Sequence, residues 1–208
     1  PRLVFRYVPQ HAESVEVDSD TDWAGLPRTR TSTNGGCIFL GSHAIKTLSS
    51  PQITVSLSSG EAEFYGLVRG SGQGLGYQAL LKDLGLSVPL RLWTDSSAAI
   101  GICSRQGLGK LRHIDTHTLW VQQAFRSRRL EIKTVLGEEN PADLLTKHSL
   151  GRQRLEKLVA FHGCKYLAGR AASAPKMREG ETTRTTMASE GGGLIGAAGN
   201  CVGAAHRN

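Results

Sequence analysis

Apolar and polar residues alternate with a period of two over residues 14–20, SVEVDSD. Val15 and Val17 fall on one face, and Asp18, Asp20 and, just beyond, Asp22 on the other. This predicts a strand. GGCIFLG (35–41) and HAIKTLSS (43–50) read as two more strands, joined at Gly41 and Ser42 as a hairpin, and QITVSLSS (52–59) is a further β-like run. At Ser58 the period changes. Ser58 and Glu61 have capping-box spacing, so a helix is expected from there to Leu84, stopping before Gly85. LRLWTD (90–95) returns to period two, and SSAAIGICS (96–104) is helical. DTHTLWVQQAFRS (115–127) is amphipathic, with Leu119, Trp120, Ala124 and Phe125 on one side. LEIKTV (130–135) is a last strand. NPADLLTK (140–147) starts a helix, with Asn140 as N-cap and Pro141 at the first position. RQRLEKLVAFHGCKY (152–166) carries Leu155, Leu158, Val159 and, one turn on, His162, and predicts a short amphipathic helix. The order implies an α/β sheet with an antiparallel beginning and a parallel continuation.

The long helix contains an anomaly. Gly66, Gly70, Gly72, Gly74 and Gly76 interrupt it, and five interior glycines would cost roughly 4–5 kcal/mol relative to alanine if additive. Either neighbours pack very closely there, or the helix is weakly stable.

Composition narrows the class. A chain of 208 residues, 39% hydrophobic, suits one domain with appendages. No run of about 18 apolar residues is present, so no membrane span is expected. The start, PRLVFRYVPQ, has no Met and no signal-peptide shape, and reads like a piece of a longer polypeptide. Cys37, Cys103, Cys164 and Cys201 are scattered, which argues against a zinc site or a disulfide framework and for a reducing compartment. The net charge of +7 is uneven: residues 1–150 hold 16 basic and 14 acidic groups, residues 151–208 nine and four. Composition shifts again near Ala168, beyond which Gly, Ala, Ser and Thr dominate and large apolar residues all but vanish. The expected organisation is an N-terminal linker (1–14), a folded domain (15–150), a short amphipathic helix (151–166) and a disordered tail (167–208).

The acids carry the candidate chemistry. Asp18, Asp20 and Asp22 do not begin an EF-hand loop, because the sixth and twelfth positions hold Trp23 and Thr29 instead of Gly and Glu. Acids also stand at the ends of other elements: Glu63 early in the long helix, Asp95 closing LRLWTD, and Asp143 in the first turn of NPADLLTK. In open α/β sheets, ligands gather beyond the carboxyl ends of the strands. Clustered carboxylates need a cation, and hard oxygen ligands suit magnesium or manganese. Two such ions about 4 Å apart can activate a water and stabilise the leaving oxygen of a phosphodiester.

Six blocks stand in order over this stretch: DTDWAG, STNGGCIFLG, SLSSGEAEFYGL, LWTDSSAAI, RHIDTHTLWVQ and NPADLLTKHSL. Together they resemble the ribonuclease H domain of Ty1/copia-type retrotransposon Pol polyproteins, over residues 15–150. The resemblance implies a ribonuclease H-like fold with a mixed five-stranded sheet, antiparallel across its first three strands and then parallel, flanked by helices. It selects Asp20 within the DxDWAG block and Glu63 in EAEFYGL, leaving Glu61 to the helix cap. With Asp95 and Asp143 these make a D-E-D-D set holding two Mg2+ or Mn2+ ions. The implied activity is hydrolysis of the RNA strand of an RNA–DNA hybrid. The implied partners are that hybrid and an upstream reverse transcriptase domain, and the implied location is intracellular, in a cytoplasmic virus-like particle or the nucleus. One departure stands out: cellular ribonucleases H carry a mobile His before the last Asp, whereas VLGEENPAD has none, leaving Glu138 or Glu139 as stand-ins. A decayed, non-cutting copy and a DNA-cutting member of the fold are the alternatives.

The basic stretches RQGLGKLRH and RSRR flank the DTHTLW helix and offer Lys110, Arg112 and Arg128 as phosphate contacts. Ser96, at a helix start, offers another. His113 and His117 are four apart but lack a third zinc ligand. Trp23, Trp93 and Trp120 read as core residues.

Overall fold

The computed structural model describes residues 2–170. Strands β2 (Val15–Asp22), β3 (Thr33–Leu40) and β4 (His43–Pro51) are followed by helix α1 (Ser59–Asp83), strand β5 (Leu90–Thr94) and helices α2 (Ser97–Ser104) and α3 (Trp120–Arg126). Strand β6 (Glu131–Thr134) and helix α4 (Arg152–Phe161) follow, and short strands β1 (Arg2–Phe5) and β7 (Cys164–Leu167) stand at either end. Five strands form one sheet in the order β4-β3-β2-β5-β6. β4, β3 and β2 are mutually antiparallel, while β2–β5 and β5–β6 are parallel. This is the mixed sheet expected from the sequence. Among the described residues, no helix is long and apolar enough to cross a membrane.

The period-two pattern of β2 sorts its side chains. Val15 and Val17, both fully buried, join Ile38, Phe64, Leu67, Leu90 and Leu92 in the core between the sheet and α1. Burying such side chains is worth roughly 1.5–3 kcal/mol each. On the opposite face a smaller cluster of Cys37, Phe39, Ala44 and Ala142 packs with Leu145. His162, at the end of α4, donates Nδ1–H to the Leu158 carbonyl (2.9 Å), so its Nε2 accepts the Cys37 thiol proton at 3.0 Å. That bond ties α4 to β3.

The glycines of α1 divide into two groups. A Cβ on Gly66 would lie 2.6 Å from Thr21 Oγ1, one on Gly70 3.3 Å from Val17 Cγ1, and one on Gly74 2.6 Å from Leu90 Cδ1. These three are four residues apart, line one face of the helix, and let it settle against β2 and β5. Gly72 and Gly76 have nothing within 4 Å of a built Cβ. Close packing therefore accounts for Gly66, Gly70 and Gly74, and not for Gly72 and Gly76.

Several expectations are corrected. Residues 52–58 form no strand: Ile53 is 99% exposed and Leu57 68%, so this apolar run finds no sheet edge to pair with. NPADLLTK forms a 3-10 turn, Pro141–Leu145, instead of an α-helix. The C-terminal helix stops at Phe161, and residues 164–166, read as its continuation, pair together with Leu167, read as the start of the tail, as β7 with β1 in a two-stranded antiparallel ribbon. Trp23 is half exposed, its indole N–H donating to the Ser56 carbonyl at 3.0 Å. The proposed tail lies outside the described residues beyond Arg170.

Replacing Gly72 or Gly76 by Ala is expected to raise stability by about 0.5–1 kcal/mol each, whereas Gly74→Ala lowers it by forcing α1 off β5. Urea unfolding midpoints of the three variants check this contrast.

Candidate metal centre

The site is built at the carboxyl end of β2 and β5. Asp20 lies directly opposite Gly35 of β3. A Cβ on Gly35 would come within 2.5 Å of Thr146 Cγ2 and 3.0 Å of the Ala142 carbonyl, so the glycine is what lets the 3-10 turn lie on the sheet. Asn140 fixes that turn from the other side. Its Oδ1 accepts from the Ala142 amide (3.1 Å) and its Nδ2 donates to the Ser19 carbonyl (3.0 Å). The NPAD block thereby delivers Asp143 beside Asp20.

Three of the four expected acids meet closely. Asp20, Glu63 and Asp95 each offer a carboxylate oxygen, and these atoms all lie within 4.8 Å of one another. Asp20 is 2% exposed and accepts from the Thr146 hydroxyl. Glu63 projects from the early part of α1, which is capped as expected: Ser58 Oγ accepts from the Glu61 amide at 3.2 Å. The Glu61 carboxylate reaches the Leu57 amide (3.1 Å) and accepts from His113 Nε2 (2.9 Å). Asp95 follows β5 in the exposed connection to α2, and Gly137 comes close to its carboxylate. Asp143 stands outside the group of three. Arg154 of α4 donates to its Oδ2 and to the Gly137 carbonyl.

Electrostatics mark the cluster as under strain. Burial, then Asp20 and Asp95, push the Glu63 carboxyl up to about 8, against the lowering effect of Lys147 and the Thr21 backbone. Burial, then Asp20, lift Asp143 to about 6, against Lys147 and Arg154. Asp95 is raised by burial and then by Asp20. Crowded carboxylates in a partly dry site resist carrying full charge together.

The donor set fits a hard divalent cation. All candidate ligands are carboxylate oxygens, and Glu63 Oε2 and Asp143 Oδ1 are buried without any hydrogen-bond partner. Sulfur and imidazole are absent from the group.

The expected phosphate contacts are placed unevenly. Lys110, Arg112 and Arg128 are exposed and form no ion pair among the described residues. Ser96 is engaged internally: its Oγ accepts from the Ala99 amide as N-cap of α2, and its own amide donates to Thr94 Oγ1. Of the stand-ins for a loop His, Glu139 is paired with Lys157 at 3.2 Å. His148 is a neighbour that sequence reading passed over, with its Nε2 3.7 Å from Asp22 Oδ2. Three more such residues bear on the acids: Thr146, Lys147 and Arg154. The four-residue spacing of Asp143 and Lys147 could have revealed one of them. Nothing local points to Arg154.

Asp18 is the odd acid. It shares a face with Asp20 but is 8% exposed, its carboxylate has no hydrogen-bond partner among the described residues, and it opens into a cleft of about 930 Å3 with Phe39 and Trp93. Burial, then Glu16, push its carboxyl up to about 7. From about pH 4 to 7 the folded protein then holds a proton at this site that the unfolded chain has released, so stability falls as pH rises through this window. The Asp18→Asn variant lacks that component. It is expected to exceed the wild type by on the order of 2 kcal/mol at pH 8 and to match it near pH 4, as read from urea unfolding at both pH values.

Comparison with known proteins supplies relatives. No family model matches the chain. It is 32% identical over 137 residues to the retrovirus-related Pol polyprotein from transposon RE2 of Arabidopsis thaliana, covering 64% of this chain and 9% of that protein. It is 29% identical over 149 residues to the corresponding polyprotein from transposon TNT 1-94 of Nicotiana tabacum, covering 69% and 11%. The chain thus spans about a tenth of the length of the curated relatives it matches. Among solved structures, the N-terminal RNase H domain of a Mycobacterium tuberculosis protein aligns with a TM-score of 0.44 at 16% identity, over 72% of this chain and 98% of that one.

Proposed function

We propose that this chain, a homologue of one segment of Ty1/copia-type retrotransposon Pol polyproteins, is a metal-dependent endonuclease that cuts the RNA strand of RNA–DNA hybrids during reverse transcription. The observation that carries the reading is the convergence of Asp20, Glu63 and Asp95 from three separate elements, with carboxylate oxygens within 4.8 Å. Asp143 stands next to them, linked to Asp20 through Lys147.

Asp20, Glu63, Asp95 and Asp143 would hold two Mg2+ or Mn2+ ions, which when bound supply Lewis acidity and an activated water for phosphodiester hydrolysis. The chain's own residues set up that chemistry. Gly35 and Asn140 hold the 3-10 turn against the sheet, and Thr146 orients the Asp20 carboxylate. Lys110, Arg112 and Arg128 would meet phosphates of the hybrid, whose backbone dominates the affinity. Contacts to the 2′-hydroxyl would select RNA over DNA.

One observation favours a second reading, a copy that binds nucleic acid without cutting it. Asp143 is held by Arg154 and lies outside the group of three. Cleavage separates the two. With Mg2+, a labelled RNA–DNA hybrid is expected to be cut in its RNA strand, matched duplex DNA left intact, and EDTA to stop the reaction. Asp20→Asn should lower the rate by about 10^3-fold or more, in the range expected when a metal ligand is lost. Glu63→Gln should abolish cleavage while leaving the metal-free protein at least as stable as wild type, because it removes a buried carboxyl that folding forces to hold a proton the unfolded chain releases. Hybrid cleavage that persists undiminished in Asp20→Asn would end the proposal.

A further inference from the structure

One cation sits among the acids without a part in the chemistry proposed above. Lys147 Nζ lies 3.3 Å from Asp20 Oδ2 and 3.9 Å from Asp143 Oδ1. Burial works to lower its pKa, yet Asp20, Asp143 and Glu63 outweigh it and hold the ammonium above its ordinary value. Its position follows from the local fold. Lys147 comes four residues after Asp143, and its amide donates to the Asp143 carbonyl at 2.9 Å, closing one helical turn that puts both side chains on the same side.

The two cations of the cluster differ in how they are held. Arg154 is anchored: its guanidinium also donates to the Gly137 carbonyl at 2.8 Å, and it reaches only Asp143 among the four acids. Among the described residues Lys147 has carboxylates as its only side-chain partners, and its side chain is 43% exposed. A flexible stem with its head in the cluster and a route to solvent can leave without breaking the fold.

We propose that the Lys147 ammonium is the resident counter-ion of the acid cluster and competes with divalent cations for Asp20. This rests on the reading of the cluster as a metal centre. A carboxylate oxygen that faces an ammonium cannot also take a divalent ion at bonding distance, because the two cations would stand within a few ångströms of each other in a half-buried site. Loading therefore requires Lys147 to swing out to solvent, and its return neutralises Asp20 when the ion leaves. The residue lowers apparent metal affinity and keeps the metal-free protein folded in spite of crowded carboxylates. Its role is a positioning one.

Mn2+ binding to the full chain tests this, measured by isothermal titration calorimetry on wild type, Lys147→Met and Lys147→Arg, with melting temperatures in EDTA and in Mn2+. Lys147→Met is expected to bind Mn2+ about tenfold more tightly, the scale expected for removing one nearby like charge. It should melt lower than wild type in EDTA and gain more from Mn2+. Lys147→Arg, which keeps the charge, should stay near wild type. Lys147→Gln, which keeps a hydrogen-bond donor to Asp20 without the charge, serves if the Met variant does not fold. Unchanged or weaker Mn2+ binding by folded Lys147→Met or Lys147→Gln overturns the competition while leaving the metal centre intact. Absence of Mn2+ binding by wild type and variants alike overturns both.

Discussion

Mutual repulsion among carboxylates governs this molecule. Asp20, Glu63, Asp95 and Asp143 approach one another at the carboxyl end of the central strands, partly removed from water, where like charges weaken less with distance than they do in solvent. Every neighbour of the cluster can be understood as a response. Thr146 donates to Asp20, Arg154 clamps Asp143, and Lys147 lies between the two. What these groups do not offset appears as raised proton affinity at Glu63 and Asp143. A bound cation would relieve this repulsion, and a ligand that favours the folded state in this way would stabilise it.

Holding the acids together demands close backbone approach, and small residues provide it. Gly66, Gly70 and Gly74 bring α1 down onto β2 and β5, carrying Glu63 towards the strand ends. Gly35 does the same for the 3-10 turn that carries Thr146 and Asp143. The helix weakened by glycine and the strand opened by glycine are therefore part of how the acids are brought together. Gly72 and Gly76 have no such contact, and nothing in the structure explains them.

The elements outside the sheet contribute more than their length suggests. α4 supplies Arg154 to the site and His162 to the lower face of the sheet, so the C-terminal helix braces the fourth acid from one side and β3 from the other. β7 then pairs with β1. A change at Arg154 meets Asp143 directly, whereas one at His162 reaches the acids only through α4 and β3.

Period-two valines in β2, the capping pair at Ser58 and Glu61, and Asn140-Pro141 were legible because each reflects an interaction between residues close in sequence. They set the element order, and with it the sheet, before any tertiary contact is considered. The four acids were legible as candidates through block spacing. Whether they meet was not, because it depends on Gly35, Gly66 and Gly74 admitting backbone within van der Waals range, which no periodicity encodes. The same limit explains the errors. Residues 52–58 have the composition of a strand but no partner edge, and four-residue strands pair across some 160 positions between β1 and β7. Local pattern determined which segments could form helices and strands. Only the packed structure decided which carboxylates share a site and that Lys147 and Arg154 oppose their charge, because electrostatic neighbours are set by distance in space.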